Sequence, residues 1–154
     1  MKPDVRTCLW FDDDGEAAAK FYVSLLPDSH LEDTHRPDPE KPPLIVNFTL
    51  SGAPYMILNG GPQFPQSEAA SIAVTVEDQA EADRLWHALT ADGGQEIQCG
   101  WLKDRWGVSW QIVPQPVVDM LMAQDREAAG RAMAAMMTMK RLDVAEMRKA
   151  FDGE

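Results

Sequence analysis

The sequence predicts an α+β fold made of two tandem βαβββ units followed by a C-terminal helical tail. A strand, an acidic helix start and an amphipathic helix occur in residues 6–26 and recur 64 residues later, with Asp78 matching Asp14. A shift of 55 residues matches the ends of the units, Tyr55-Met56-Ile57 with Trp110-Gln111-Ile112. After Pro114 the chain becomes rich in methionine and alanine. We therefore expect one domain of 154 residues, with the first unit at 6–58, the second at 70–114 and the tail at 115–154.

The first unit begins with a short strand over 6–11. The Asp12-Asp13-Asp14 run follows it, and we interpret these carboxylates as helix-start residues rather than metal ligands, because capping and the helix dipole both favour acids there. Apolar residues at one-face spacing predict a helix over 16–26, which Pro27 ends. A short strand over 30–34 and a strand pair over 44–50 and 55–58 complete the unit.

The second unit repeats this order. Asp78 and Glu81 form the aspartate version of a capping box, which fixes the start of the second helix. The stretch CGWLKDRWGVSWQIVP, residues 99–114, predicts a hairpin with its turn at Asp104-Arg105-Trp106-Gly107. Its second strand alternates large apolar residues with smaller or polar ones, so one face is expected to pack on a helix while the other lines a more polar space.

The tail is expected to form helices over 117–122, 126–139 and 144–151. Six of the nine methionines lie between Met120 and Met139. Methionine-rich surfaces can adapt to ligands, but a helix that buries them against the sheet or a second subunit is the commoner outcome. We therefore expect an oligomer contact in the tail, and a homodimer.

Composition and charge exclude several partners. A net charge of −11 repels a nucleic-acid backbone, and no apolar run is long enough to span a membrane. No secretory leader is recognised at the N-terminus. The two cysteines, Cys8 and Cys99, have no metal-site or CxxC spacing, so we expect ordinary buried thiols in a reducing compartment, the cytoplasm. A small-molecule ligand is the expected partner.

Several stretches together resemble a known family, namely CLWFDDDGEAAAKFYVSLLPDS, MILNGGP, SIAVTVEDQAEADRLWHAL, the 99–114 stretch and AMMTMKRLDVAEMRKAF. They are similar to the PhnB-like branch, also labelled 3-demethylubiquinone 3-methyltransferase-like, of the glyoxalase, bleomycin-resistance and extradiol-dioxygenase superfamily, the vicinal oxygen chelate proteins. The resemblance covers nearly the whole chain. It implies a glyoxalase-like fold, in which each unit curls its mixed sheet around a cup, and dimerisation.

The resemblance also implies four metal-ligand positions, which in this chain are Thr7, Met56, Ser71 and Gln111. None is a histidine or a carboxylate, the donors that a divalent ion prefers. The three histidines, His30, His35 and His87, do not replace them, since each is expected to be solvated or locally bonded. We therefore predict no tightly bound metal and no cofactor, which disfavours glyoxalase and dioxygenase activity.

The repeat alignment assigns side chains to the two faces of the sheets. The cup side receives Thr7, Leu9, Met56, Leu58, Ser71, Ala73, Thr75, Ser109, Gln111 and Val113, whereas Trp10, Tyr55, Val74 and Trp110 are assigned to the helix side. Such a lining is typical of a small-molecule pocket. The predicted ligand-binding residues are Thr7, Leu9, Met56, Leu58, Ser71, Thr75, Ser109 and Gln111. Alternatively, these polar groups satisfy one another across a filled core.

Three functional hypotheses remain open at this point. The first is a noncatalytic binding protein in which Gln111 orients a small, partly apolar ligand. The second is a metal-independent enzyme that uses Cys99 or the Lys103/Asp104 pair. The third is an interaction module that works through the tail. The methyltransferase label finds little support, because Asn59-Gly60-Gly61-Pro62 leads into a proline-bearing loop rather than a cofactor-binding helix.

Overall fold

Two βαβββ repeats and a helical tail are present in the structure, a computed structural model that describes residues 1–154. The predicted fold class is confirmed. The strands are β1 (Thr7–Phe11), β2 (His30–His35), β3 (Ile45–Leu50), β4 (Ala53–Asn59), β5 (Ser71–Val76), β6 (Gln95–Glu96), β7 (Trp101–Lys103) and β8 (Ser109–Pro114). The helices are α1 (Gly15–Leu25), α2 (Gln79–Thr90), α3 (Gln115–Leu121), α4 (Arg126–Met136) and α5 (Val144–Asp152).

The chain divides into two compact units, Met1–Gln66 and Ser67–Glu154. The first holds a four-stranded sheet in the order β1-β4-β3-β2, and the second holds one in the order β5-β8-β7-β6. In each sheet the first and last strands of the repeat, β1 with β4 and β5 with β8, pair in parallel, whereas the other pairs are antiparallel. Both sheets are therefore mixed, as the resemblance implies.

In the first unit, one sheet face is covered by α1. Alternate residues of β3 are buried, as expected of a strand with one face on a core, and Phe48 lies against Tyr22 of α1 with ring centroids 6.4 Å apart. The predicted aspartate cap of this helix is replaced by a different contact. Asp14 makes no side-chain capping bond, and the amide of Gly15 donates instead to Asn59 Oδ1 at 3.0 Å. The last residue of β4 thereby satisfies the start of α1.

In the second unit, α2 buries Leu85, Trp86 and Leu89 on the sheet. Asp78 caps this helix as predicted, accepting from the amide of Glu81 at 2.9 Å.

The tail belongs to the second compact unit. It has its own apolar cluster, formed by Val117, Met120, Ala132, Leu142 and Met147. The Gln79 side chain of α2 fastens the tail, because its amide nitrogen donates to the Leu142 carbonyl at 3.0 Å and its oxygen accepts from the Val144 amide at 2.7 Å.

The register corrects one sheet-face prediction, that of β1. Leu9 pairs with Ile57 and is buried on the α1 side, and Thr7 pairs with Tyr55 on the same face, whereas Trp10 pairs with Leu58 on the opposite face. The assignment of Thr7 and Leu9 to the cup side, and of Trp10 to the helix side, was therefore wrong.

The cause is loop length. Three residues, Asp12-Asp13-Asp14, connect β1 to α1, but only Glu77 and Asp78 connect β5 to α2. A repeat alignment anchored on the helix caps is consequently one residue out of step in the strands. Because side chains alternate with a period of two, this single residue exchanges the two faces of β1.

Candidate functional site

The sheet face turned away from α2 in the second unit is the strongest candidate site. We call it the second-unit open face, and it comprises Ser71, Ala73, Thr75, Trp101, Lys103, Ser109, Gln111 and Val113. The ladder places Lys103, Ser109 and Ser71 side by side in one row across β7, β8 and β5, with Trp101, Gln111 and Ala73 in the next row. Alternation along β8 directs the neighbouring Trp110 and Ile112 into the core under α2.

Ser109 is the least satisfied polar side chain of this face. The residue is only 2% exposed, and its hydroxyl has no hydrogen-bond partner. Leaving a buried hydroxyl unpaired costs about 1–3 kcal/mol. A neighbouring pair is better satisfied, since Gln111 Nε2 donates to Ser71 Oγ at 2.9 Å. The face therefore holds a neutral polar centre with one hydrogen-bonding group unused.

Lys103 adds a positive charge to the same row. Its ammonium forms an ion pair with Glu68, with the side chains 27% and 57% exposed respectively. The hydrogen bond from Lys103 lowers the pKa of the Glu68 carboxyl below its ordinary value. Glu68 is consequently ionised at neutral pH.

The first unit has a corresponding face turned away from α1, which we call the first-unit open face. It carries Cys8, Trp10, Met56 and Leu58. Cys8 is an exposed free thiol, which corrects the expectation that it is buried, and partial burial of its sulfur raises the pKa of the thiol. Along β1 and β4 the side chains of this face are mostly apolar. The neighbouring β3 adds Asn47 beside Met56, and the Asn47 amide donates to Asp33.

Trp10 is covered by the segment that follows β4. Its indole Nε1 donates to the Gly61 carbonyl at 2.8 Å, and its ring meets Phe64 edge-on at 4.8 Å. A Cβ on Gly60 would overlap the indole ring, so only glycine fits there. The Asn59-Gly60-Gly61-Pro62 turn therefore packs around a tryptophan, and no helix follows it before β5.

The structure brings the predicted ligand-binding residues together in two groups. Ser71, Thr75, Ser109 and Gln111 share the second-unit open face, and Met56 and Leu58 share the first-unit open face. Thr7 and Leu9 lie on the helix-covered side. Sequence reasoning missed Cys8 and Trp10 as open-face residues because of the unequal loops, and Trp101 because β7 spans only three residues. It singled out Lys103 as a candidate acid or base with Asp104, but not as a binding residue.

Lys103 and Asp104 do not form an acid–base pair. Lys103 lies on the open face, whereas the Asp104 carboxylate is buried in the hairpin turn. It accepts there from the amides of Trp106 and Val108 and from the indole of Trp110, all at 2.9–3.0 Å. Asp104 therefore organises the turn.

Cys99 has no base beside it. Its sulfur lies 3.6 Å from Met137 Sδ, and its amide donates to the Met139 carbonyl. The three histidines are exposed, in β2 and on α2. Neither cysteine nor histidine therefore supplies a recognisable catalytic pair.

A separate cavity of about 340 Å³ lies in the first unit. It is lined by Asp12, Asp13, Pro37, Asp38, Lys41, Pro42, Leu44 and Asn59. The side chain of Asn59 links this region to the start of α1. Its amide nitrogen donates to the Pro43 carbonyl at 2.8 Å, and its oxygen accepts from the Gly15 amide. The carboxylates of Asp12 and Asp13 are exposed to solvent.

Comparison with known proteins points to one family. A family model described as 3-demethylubiquinone-9 3-methyltransferase matches residues 3–113. The match ends before α3, so the helical tail lies outside it. A search of curated protein sequences found no match.

Solved structures resemble the chain in fold. The PhnB protein from Bacillus cereus, to which a 3-demethylubiquinone-9 3-methyltransferase activity is ascribed, is 29% identical, with a TM-score of 0.67 over 73% of this chain and 99% of that one. A protein from Pseudomonas aeruginosa is 23% identical, with a TM-score of 0.61 over 73% and 98%. The fosfomycin resistance protein FosX from Listeria monocytogenes, complexed with Mn(II) and sulfate, is 13% identical, with a TM-score of 0.50 over 74% and 90%.

The positions that the superfamily resemblance assigns to a metal do not fit a divalent cation in this chain. Thr7 lies on the sheet face opposite to Met56, and the Met56 thioether is a weak donor for such ions. Ser71 and Gln111 are neutral and bonded to each other. No group of three or more histidine, cysteine, aspartate or glutamate side chains is placed to hold a metal elsewhere.

Proposed function

The chain belongs to the 3-demethylubiquinone-9 3-methyltransferase-like (PhnB) family of the vicinal oxygen chelate superfamily, and from that premise we propose that it binds a small, partly apolar molecule on its second-unit open face. The observation that carries the proposal is the buried hydroxyl of Ser109, which has no hydrogen-bond partner. A buried hydroxyl without a partner destabilises the protein on its own, and such a cost is commonly retained where the group serves a ligand.

The surroundings of Ser109 suit such a ligand. Ala73 and Trp101 provide apolar contact area, while Gln111 and Ser71 provide groups that fix orientation. Val113, at the end of the same face, packs against the apolar cluster of the tail. The Gln111 side-chain oxygen remains available as an acceptor, because its amide nitrogen makes the bond to Ser71. We include the first-unit open face, with Met56, Leu58 and Cys8, as a second surface on which such a ligand can bind.

Methyl transfer is not the function that this chemistry favours. The one glycine-rich turn after a strand is filled by Trp10, so it does not offer free backbone amides at a helix start to a nucleotide cofactor. The candidate nucleophile Cys99 and the candidate acid Asp104 have structural contacts instead. The activity ascribed to the Bacillus cereus relative therefore remains a statement about that protein.

Screening by native mass spectrometry and thermal shift against a metabolite library tests the proposal. We expect at least one small organic compound to bind and to raise the melting temperature. The variant Ser109→Ala should weaken its binding about tenfold, the effect of losing one well-placed hydrogen bond. Ser67→Ala, at an exposed hydroxyl that accepts from the Ala69 amide, is the matched control. No binder in a broad library, or binding that ignores Ser109, would contradict the proposal.

We include self-association and a reducing cytoplasmic setting in the proposal. Met122, Met133 and Met137 leave large apolar side chains exposed on the tail, with Met122 at 76% and Met137 at 61%. Such side chains favour contact with another apolar surface. Both cysteines are free thiols, as a reducing compartment requires.

Sedimentation of the full chain tests the association. We expect a homodimer that the double substitution Met133→Glu/Met137→Glu converts to a monomer. Lys149→Glu, elsewhere on the tail surface, serves as the charge-changing control. A monomer for the unmodified chain would rule out this part of the proposal.

The helices of the chain are all too short or too polar to cross a membrane.

A further inference from the structure

We propose that the ligand of the second-unit open face carries a carboxylate, which replaces Glu68 at the ammonium of Lys103 and accepts hydrogen bonds from the hydroxyls of Ser109 and Ser71. This inference rests on the proposed function and names the chemical class of its ligand. The same face would hold the apolar or aromatic body of the molecule against Trp101 and Ala73.

The hydrogen-bonding inventory of the row favours an acceptor. The hydroxyl of Ser109 donates to nothing in the structure. The oxygen of Ser71 already accepts from Gln111, so its own proton still requires an acceptor. Lys103, the third member of the row, has only donors. Three donor-bearing residues in one row match the several lone pairs of a carboxylate better than those of an amide or alcohol, because charge-assisted hydrogen bonds are the stronger ones.

Glu68 already occupies part of this position with the same chemical group. Its carboxylate lies on Lys103, although its side chain is more than half exposed. It belongs to the segment just before β5 and is not part of the sheet. An exposed ion pair contributes little to stability, so a ligand carboxylate can displace it at small cost.

The charge of the whole chain makes Lys103 necessary for such a ligand. The net charge of −11 repels anions at long range. A bound carboxylate therefore depends on the local ammonium, and its affinity should fall steeply when that single charge is removed. A neutral analogue of the same shape does not share this dependence.

Nuclear magnetic resonance titration with phenylacetate and its neutral isostere phenylacetamide provides the test. We expect phenylacetate to bind about tenfold more tightly than phenylacetamide and to shift the backbone amides of Ser71, Lys103 and Ser109. Lys103→Gln should abolish the preference, whereas Glu68→Gln should strengthen phenylacetate binding by removing the competing carboxylate. Lys149→Gln, which removes a lysine paired with Glu146, is the matched control for net charge.

The outcomes separate this inference from the proposed function. Equal binding of the two compounds, or tighter binding of phenylacetamide, overturns the carboxylate inference and leaves a binding face of different preference. A preference that survives Lys103→Gln also overturns it. If neither compound shifts the three amides, the inference is overturned, and the library screen with Ser109→Ala decides the proposed function separately.

Discussion

Ser109 combines a stability cost with the proposed binding role, and the two can be measured independently. In the ligand-free protein, Ser109→Ala removes a buried hydroxyl that has no partner. We expect it to raise the free energy of unfolding by about 1 kcal/mol, because no hydrogen bond is lost and a desolvation cost is relieved. Urea denaturation of the variant and of Ser67→Ala measures this. A destabilised Ser109→Ala would mean that the hydroxyl is satisfied in solution.

Cys8 is exposed by area, yet its environment disfavours the thiolate. Partial burial of the sulfur raises the pKa of the thiol above its ordinary value. The thiolate is the reactive form, so at a pH near 8 a smaller fraction reacts than in the unfolded chain. In a Cys99→Ser background, alkylation by iodoacetamide should be slower than in urea, with its rate midpoint displaced to higher pH. Equal rates in the folded and unfolded chain would refute this.

At the level of single elements, replacing either of two helix glycines by alanine is expected to change stability in opposite directions. A methyl group on Gly15, the first residue of α1, would overlap Ile57 Cγ2 and approach Asn59 Oδ1. Gly130, inside α4, has no neighbouring atom within 4 Å of an added Cβ. Gly15→Ala should therefore destabilise the protein by about 1–3 kcal/mol, and Gly130→Ala should stabilise it by about 0.5–1 kcal/mol. Thermal denaturation of both variants should show opposite shifts in melting temperature, and equal shifts would contradict this packing of the two glycines.

The β7–β8 hairpin depends on one carboxylate. Asp104 accepts three hydrogen bonds in a site that is 2% exposed. Asp104→Asn replaces one acceptor oxygen by a donor, so we expect a loss of about 2–4 kcal/mol of unfolding free energy. Asp92→Asn, which removes only the exposed ion pair with Arg105, should change stability by less than about 1 kcal/mol. Chemical denaturation of the two variants separates a turn-organising carboxylate from a merely ionic one.

The starts of helices were more predictable from the sequence than the sheet face to which each strand side chain points. Helix starts at Asp78, Asp125 and Asp143 are set by local capping chemistry, which a sequence displays directly, and all three accept capping bonds. The face of β1 depends on how many residues join it to α1, and nothing local distinguishes a two-residue from a three-residue connection. The side-chain contacts of Trp10 depend on a segment about 50 residues away, so they could not be inferred from its neighbours.

The candidate site was partly predictable for the same reason. Ser71, Thr75, Ser109 and Gln111 were assigned correctly to one face, because β5 and β8 alternate clearly between apolar and polar residues. The unpaired state of Ser109 and the ion pair of Lys103 with Glu68 are tertiary facts, which require the ladder register.

Across the whole molecule, charge imbalance is the dominant electrostatic feature. The chain has 25 acidic and 14 basic residues, so like charges repel at neutral pH. Raising the sodium chloride concentration from about 0.05 to 0.5 M should increase the melting temperature, since the screening length falls to a few ångströms. The same change close to the isoelectric point, about pH 4.6, should have a smaller effect and serves as the control. A fall in melting temperature at neutral pH would show that ion pairs outweigh the repulsion.

The unequal strand–helix connections also bear on the history of the chain. Two repeats of the same architecture indicate an ancestral half that was duplicated. Inserting one codon between the first strand and the first helix is enough to turn a different set of side chains to the open face. Cys8 and Trp10 then take the place of Thr7 and Leu9, and no strand sequence is altered. Such a change lets one copy of a duplicated half acquire a new chemical surface in one step, while the other copy retains its own.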